Sequence, residues 1–265
     1  MKISLSVDNE KCIKCYACIA ECPFDLINAD KEGSPQLRKA ALRRCIRCGH
    51  CMAVCSTGAL DITISPLSDC LPVDREMLPA PATVSHLLKS RRSIRTYKKR
   101  GADHETLVAV LDVSRYAPSA HNCQSAHWLM VEDPAEVQKL AGLVVEYMKE
   151  IKVFPGLIRA WEQGEDKVLR GAPHLAICHA DPDKSEHPVE DCTLSTAYLD
   201  LSASSFGLGS CWAGFLVQAA HRYEPLTEAL DLPEKHVVYT ALMLGYPKFK
   251  YRHIPQRDEV KVIWR

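Results

Sequence analysis

Apolar and polar positions alternate from Ile3 to Val7 and again from Leu60 to Ile64, the period of a strand with one covered face. Between them Asp30-Lys31-Glu32-Gly33-Ser34-Pro35 is a polar turn cluster. Residues 66 to 82 carry Pro66, Pro72, Pro79 and Pro81 with little periodicity, the mark of a stiff, extended linker. The pattern therefore divides the chain into residues 1–65, a linker over 66–82, and residues 83–265. In the last part helical spacing takes over: Thr83 caps a short helix through Leu88, and Thr106 to Ala117 is amphipathic up to the Pro118-Ser119-Ala120 break. Ala135 to Ile151 and residues 219 to 230 read as further helices. His127 to Val131, His174 to His179, Val237 to Leu244 and Val260 to Trp264 read as strands, the second of them buried. Phe154 to Arg170 is rich in Gly, Trp and charge and reads as cover over a site. Leu194, Ala197, Leu201, Ser204 or Ser205, and Leu208 recur in steps of three and four, a helix stripe ended by Gly207-Leu208-Gly209. Strands alternating with helices predict an α+β or α/β sandwich.

Charge narrows the class. The 33 Lys+Arg balance 33 Asp+Glu, and 47% of residues are hydrophobic, so neither a nucleic-acid footprint nor disorder is indicated. No apolar run approaches the length of a membrane span, and MKISLSV is too short and polar for a secretory segment. A cytoplasmic protein without a membrane or nucleic-acid partner is expected.

Cysteine changes the picture most. Cys12, Cys15, Cys18 and Cys22, followed by Pro23, and Cys45, Cys48, Cys51 and Cys55 both read C-x₂-C-x₂-C-x₃-C, the bacterial ferredoxin pattern. In that pattern the fourth Cys of each run serves the other cluster. This predicts two [4Fe–4S] clusters, one on Cys12, Cys15, Cys18 and Cys55 and one on Cys45, Cys48, Cys51 and Cys22. Zinc is the alternative, but zinc takes four ligands per ion and does not explain the repeated third and fourth offsets. So small a segment has little core of its own, and metal ligation must supply much of its stability. Eight cysteines at cluster spacing imply a reducing compartment. Cys70, Cys123, Cys178, Cys192 and Cys211 are expected to be buried small hydrophobes. Arg43, Arg44 and Arg47 crowd the second run, either as a solvated face or as charge that raises the cluster potential or docks an acidic donor.

Three further stretches, Arg91-Arg92-Ser93-Ile94-Arg95, Pro118-Ser119-Ala120-His121-Asn122-Cys123-Gln124 and Gly209-Ser210-Cys211-Trp212-Ala213-Gly214, occur in an order and spacing that resemble the nitroreductase family of FMN enzymes. The whole chain thus resembles a two-cluster ferredoxin domain fused to a nitroreductase-like α+β sandwich. The resemblance implies FMN as cofactor, with Arg91 and Arg257 on its phosphate, Ser93 donating a hydroxyl, Arg92 near the ribityl chain and Arg95 beside the pyrimidine edge. It also implies amide contacts from Asn122 and Gln124, backbone contacts from Pro118, Ser119 and Ala120 across a subunit boundary, and a flavin N5 near Trp212, Ala213 and Gly214. Two departures stand out. Pro255 occupies the place of a family Lys, so Lys248, Lys250 or Arg252 is expected to share the phosphate; and Gln124-Ser125-Ala126-His127-Trp128 replaces a Gln-Pro-Trp step. A residue between Glu165 and Arg170 is a further candidate flavin contact. The family is an intertwined homodimer, which the Leu194 to Leu208 stripe and the last strand would serve.

The expected activity is an FMN-dependent oxidoreductase. Electrons pass from an external donor, a ferredoxin or an NAD(P)H-linked reductase, through the clusters to the flavin and then to a small electrophile such as a nitroaromatic, quinone or activated alkene. An electron-transfer protein serving a protein partner, or a dehydrogenase passing electrons outward to ferredoxin, are the alternatives. No catalytic side chain is singled out; His121, His127 and Tyr147 are candidate proton donors whose ordinary reading is packing or surface. No G-x-G-x-x-G follows a strand, which argues against a Rossmann site but leaves nicotinamide stacking on the flavin open.

Overall fold

The computed structural model describes residues 3–265 and forms two compact units, divided between Leu78 and Pro79. In the first, strand β1 (Leu5–Val7) is followed by helix α1 (Ala17–Ala20), strands β2 (Ile27–Ala29) and β3 (Pro35–Leu37), helices α2 (Ala41–Arg44) and α3 (His50–Ala53), and strand β4 (Leu60–Ile62). The two outer strands pair antiparallel with Leu5 opposite Ile62, each shorter than the alternation suggested. The hairpin β2–β3 was not legible in three-residue strands. Its turn is made by the Asp30 carboxylate, which accepts the Glu32 and Ser34 N–H groups at 2.8 Å, and by Gly33 at φ 86°.

The two cysteine runs repeat in backbone as well as in sequence. Lys14 and Tyr16 in the first, and Arg47 and Gly49 at the matching places in the second, are all left-handed; Asp25 and Gly58 match in the same way. Each left-handed pair turns the loop inward and then starts a four-residue helix, α1 or α3. The core beneath is small: Ile3, Cys18, Met52, Leu60 and Ile62.

The second unit holds α4 (Pro81–Ser90), α5 (His104–Ser114), β5 (His127–Val131), α6 (Pro134–Glu150), α7 (Pro155–Glu162), β6 (His174–Ala180), α8 (Pro188–Ser202), β7 (Gly209–Trp212), α9 (Gly214–Ala220), α10 (Glu224–Leu230) and β8 (Val237–Gly245). The strands form one antiparallel sheet in the order β5-β6-β8-β7. All seven residues of β6 are buried, because helices cover both faces. Leu175 and Ile177 join one core with α6, α9 and α10, while Ala176 between them joins another with Val110 of α5 and Leu199 of α8. Small residues at Ala176, Cys178 and Ala180 let α8 approach the sheet closely enough for Thr196 Oγ1 to lie 2.5 Å from Thr240 Oγ1 of β8.

Several boundaries differ from those expected. Helix α4 begins within the Pro-rich stretch at Pro81, whose fixed φ suits a first helical position, so Thr83 lies inside the helix and is not its cap. Asp103, accepting the Thr106 N–H at 2.8 Å, starts α5 three residues before Thr106, and the helix ends at Ser114. The stretch 154–170 contains α7, and the helix expected over 219–230 is two, α9 and α10, broken between His221 and Tyr223. Val260 to Trp264 is not a strand; the chain beyond Lys248 is exposed and without regular structure. Of the five remaining cysteines, Cys178, Cys192 and Cys211 are buried, but Cys123 is exposed and Cys70 half-buried.

Two buried histidines tie stability to pH. His174 donates from Nδ1 to the Glu132 carbonyl and accepts the Ala102 N–H at Nε2, both within 2.9 Å, and burial lowers its pKa. His179 lies with Nδ1 2.8 Å from Nδ1 of His236; burial, with the His236 and His127 rings alongside, lowers its pKa to about 4. The unfolded chain takes up these protons near the ordinary histidine value and the folded chain only below it, so stability present at neutral pH is lost as pH falls through that window. We expect the thermal midpoint of the second unit to drop between about pH 7 and pH 5, and His179→Gln to flatten that drop in a pH series of melting curves.

Candidate functional site

In the first unit the eight cysteines fall into two sets. Cys12, Cys15, Cys18 and Cys55 line one cavity; Cys22, Cys45, Cys48 and Cys51 line the other. The crossing of Cys22 and Cys55 follows from the fold, since α1 packs against α3 and each fourth Cys lies at the far end of its short helix. The Leu26 N–H donates to Cys22 Sγ at 3.3 Å, a polarity that suits a thiolate. Burial pushes the Cys51 thiol up to about 11. Ligation by such thiols releases protons.

In the second unit a cationic recess of about 500 Å³ lies between the end of α4, β7 and the segment after β8. Arg91, Arg92, Lys98 and Lys250 line it, with Asp200 as its one carboxylate. Arg92 donates from Nη1 to the Arg91 and Lys89 carbonyls, while its Nε and Nη2 are buried and have no partner among the described residues. A guanidinium edge left this way is costly unless an oxyanion completes it. Asp200 on α8, 7% exposed, accepts from the Ser210 hydroxyl, lies 3.7 Å from Arg91 Nη1 and 3.5 Å from Trp212 Nε1. The Ile94 N–H donates to the Ser210 carbonyl at 2.8 Å, drawing the Arg-Arg-Ser-Ile segment against β7. Gly209 is required there: a Cβ would strike Ile94 and stand 2.8 Å from Pro247 Cγ. Trp212 is partly exposed, Ala213 buried, and the space around Gly214 open.

The Pro118 to Gln124 loop is built around Asp191, 2% exposed at the other end of α8. Its carboxylate accepts the Ala120 N–H at 2.9 Å, the Cys123 thiol at 3.0 Å, and the Ser125 and Ser185 hydroxyls at 2.8 and 2.6 Å. Burial pushes its pKa up, and these four donors outweigh that and hold it below the usual carboxylate value. His121, Asn122 and Gln124 are all left-handed, a strain of about 1 kcal/mol each that the Asp191 contacts sustain.

The predicted cofactor residues are therefore brought together in part. Arg91 and Arg92 share the cationic recess, with Trp212 reached through Asp200. Pro118, Ser119 and Gln124 line a separate cavity of about 190 Å³ with Arg115, Trp128 and Asp191. Arg95 and Arg257 are exposed and line neither. Of the three substitutes for the family Lys, Lys250 reaches the recess. Between Glu165 and Arg170 the Asp166 carboxylate caps the turn, accepting from Val168, Leu169 and Gly171. Tyr147 is buried against Tyr223, and the exposed His127 packs on His179 and His236. Asp191, Asp200 and Lys98 escaped the sequence reading. The signal was present only as two acids inside an otherwise uncharged helical stretch, Asp191 to Ser205.

Comparison with known proteins agrees with this division. Residues 88–246 match the family model of the nitroreductase family, and residues 4–62 that of a 4Fe-4S dicluster domain. A protein of Archaeoglobus fulgidus, provisionally named NADH dehydrogenase/NAD(P)H nitroreductase, is 32% identical over 166 residues, 61% of this chain and 84% of that one. An iodotyrosine deiodinase of Thermotoga neapolitana is 26% identical over 184 residues, 66% of this chain and 94% of its own. Among solved structures, nitroreductases with bound FMN from Desulfitobacterium hafniense (TM-score 0.59, 22% identity, 70% of this chain and 100% of that one) and Bacteroides fragilis (0.56, 24%, 68% and 98%) share the fold. No helix among the described residues is long and apolar enough to cross a membrane.

Asp191 offers a direct test of how the loop is held. Asp191→Ala leaves buried donors unmet and should cost about 2–4 kcal/mol in urea unfolding of the second unit. Hydrogen exchange at Ala120 should rise with it, whereas an exposed control such as Glu190→Ala should change neither.

Proposed function

The chain belongs to the nitroreductase family, and from that membership we propose that it is an iron–sulfur flavoprotein that reduces a small electrophile with electrons received through its N-terminal clusters. The observation that carries the flavin assignment is the Arg92 edge, buried and unpartnered at a recess with Arg91, Lys98 and Lys250 around it. A phosphate dianion is the ligand such a set suits: guanidinium forks match its oxygens two at a time, and the ammonium groups add charge without demanding geometry. FMN supplies, when bound, the exchange between single electrons and a hydride pair.

In this reading Arg91 and Arg92 hold the phosphate, Asp200 fixes the Arg91 guanidinium and the Trp212 indole in place, Ser93 adds a hydroxyl, and the Trp212 to Gly214 turn faces the ring. Arg95 stands by the pyrimidine edge. The loop bearing Pro118, Ser119, Ala120, Asn122 and Gln124 comes from a second copy of the chain, which accounts for its separate cavity. Two features favour such a copy. The stripe Leu194, Ala197 and Leu201, with Tyr198, faces outward, Leu194 being 40% exposed, while α8 turns Cys192, Thr196 and Leu199 inward. The exposed tail carries Phe249, Tyr251, Ile254, Val260, Ile263 and Trp264, apolar area of the kind a partner covers. Arg257 would meet the phosphate once that tail is ordered. In the first unit the two cysteine sets hold one [4Fe–4S] cluster each.

The purified protein, handled without oxygen, should carry iron, sulfide and FMN and run as a dimer in light scattering. Arg92→Ala should weaken FMN binding about 10- to 100-fold in dialysis or fluorescence titration, as loss of a charged hydrogen-bond pair does, with iron content unchanged. Undiminished FMN affinity would overturn the phosphate assignment. Cys48→Ser should remove one cluster's iron and slow flavin reduction by a ferredoxin donor, while flavin reduced chemically by dithionite stays competent toward the acceptor.

A further inference from the structure

The charge of the first unit is divided between its two cysteine runs. From Gly33 to Leu60 the sequence has no Asp or Glu, while Arg38, Lys39, Arg43, Arg44 and Arg47 fall within it. The part before it, around the first run, carries Asp8, Glu10, Glu21, Asp25, Asp30 and Glu32. Two of its cations are engaged locally: Lys11 with Asp8 at 3.2 Å, and Lys14 Nζ donating to the Glu32 carbonyl at 2.6 Å. On the second run the five cations are all exposed, and so is His50. Arg38 meets Asp25 at 3.1 Å, but Arg43 and Arg44 belong to none of the ion pairs among the described residues.

This basic surface lies directly over one set of thiols. Arg43 and Arg44 end α2 and lead into Cys45, and Arg47 sits between Cys45 and Cys48. The Arg44 guanidinium lies 6.0 Å from the centroid of Phe24, which lines the same cavity as Cys22, Cys45, Cys48 and Cys51. Beside the arginines on α2, Leu42 is 55% exposed. An apolar contact set among like charges suits a brief encounter, since charge steers the approach and little area needs to be buried.

We infer that the Arg38 to Arg47 surface docks an acidic electron-carrier protein, and that electrons cross there to the cluster held by Cys22, Cys45, Cys48 and Cys51. The inference rests on the two-cluster reading of the first unit and adds to it the port and the partner's charge. Each encounter transfers one electron: the reduced carrier loses it, the chain gains it, and no bond forms or breaks. Two encounters, with protons from solvent, supply the pair that a two-electron reduction consumes.

The test uses the full-length holoprotein with an acidic bacterial ferredoxin as probe, following binding by calorimetry and electron transfer by stopped-flow absorbance. Binding and second-order rate should both fall about tenfold or more as ionic strength rises from about 20 to about 300 mM. Arg43→Glu with Arg44→Glu should slow the low-salt rate about tenfold or more and converge with the unaltered protein at high salt. Lys139→Glu, on the second unit, should leave binding and rate as they were. If the double charge reversal disturbs cluster content, Arg43→Gln and Arg44→Gln with full iron decide the matter by a smaller loss in the same direction. Salt-independent association, unchanged kinetics in iron-replete variants, or equally tight binding of a basic cytochrome c would overturn the docking surface. Absence of iron from the unaltered protein would instead overturn the two-cluster reading on which it stands.

Discussion

A buried carboxylate costs several kcal/mol unless its oxygens are met by donors, and helix α8 buries two, Asp191 and Asp200. The demand organises the second unit. Asp191 gathers the Ala120 N–H, a thiol and two hydroxyls and so holds a short loop with three left-handed residues, His121, Asn122 and Gln124. Asp200 draws Ser210, Trp212 and Arg91 toward one point. The Pro118 to Gln124 loop and the Arg91 and Ser210 segments thus take their positions from α8, and the sheet contributes mainly by offering α8 a surface of small residues to lie on.

The same logic of unmet partners runs through the cationic recess. Arg92 keeps one edge of its guanidinium satisfied by carbonyls of its own segment and the other edge bare. That arrangement fixes the guanidinium from its own segment, so less side-chain freedom would be lost in meeting an oxyanion at its other edge. Asp200 restrains the neighbouring Arg91 without cancelling the recess, because one carboxylate stands against four cationic side chains.

In the first unit stability and function depend on one set of atoms. Nine buried apolar residues among those described, five of them in one cluster, make the core of that unit, too few to hold left-handed turns at Lys14, Tyr16 and Arg47 unaided. Metal–thiolate bonds close those turns in the ferredoxin pattern, so the thiols that ligate the clusters are also what keeps the loops folded. The chain is neutral overall, yet the second run lies within an unbroken basic stretch; net charge conceals what local charge can do.

What the sequence determined by itself were the features that depend on spacing along the chain: the two C-x₂-C-x₂-C-x₃-C runs, the strands of period two within Ile3 to Val7 and Leu60 to Ile64, and the Arg91 to Arg95 segment. Those are local, because a tight loop or an alternating strand is specified by its own neighbours. Tertiary structure alone decided that Arg95, Arg257 and the Pro118 loop lie outside the cationic recess, and that the Leu194 stripe faces outward. It also decided that Asp191 and Asp200 are the anchors. A helix pattern says which residues share a face; which face is covered, and which buried charge meets which donor, depends on segments many residues away in the chain.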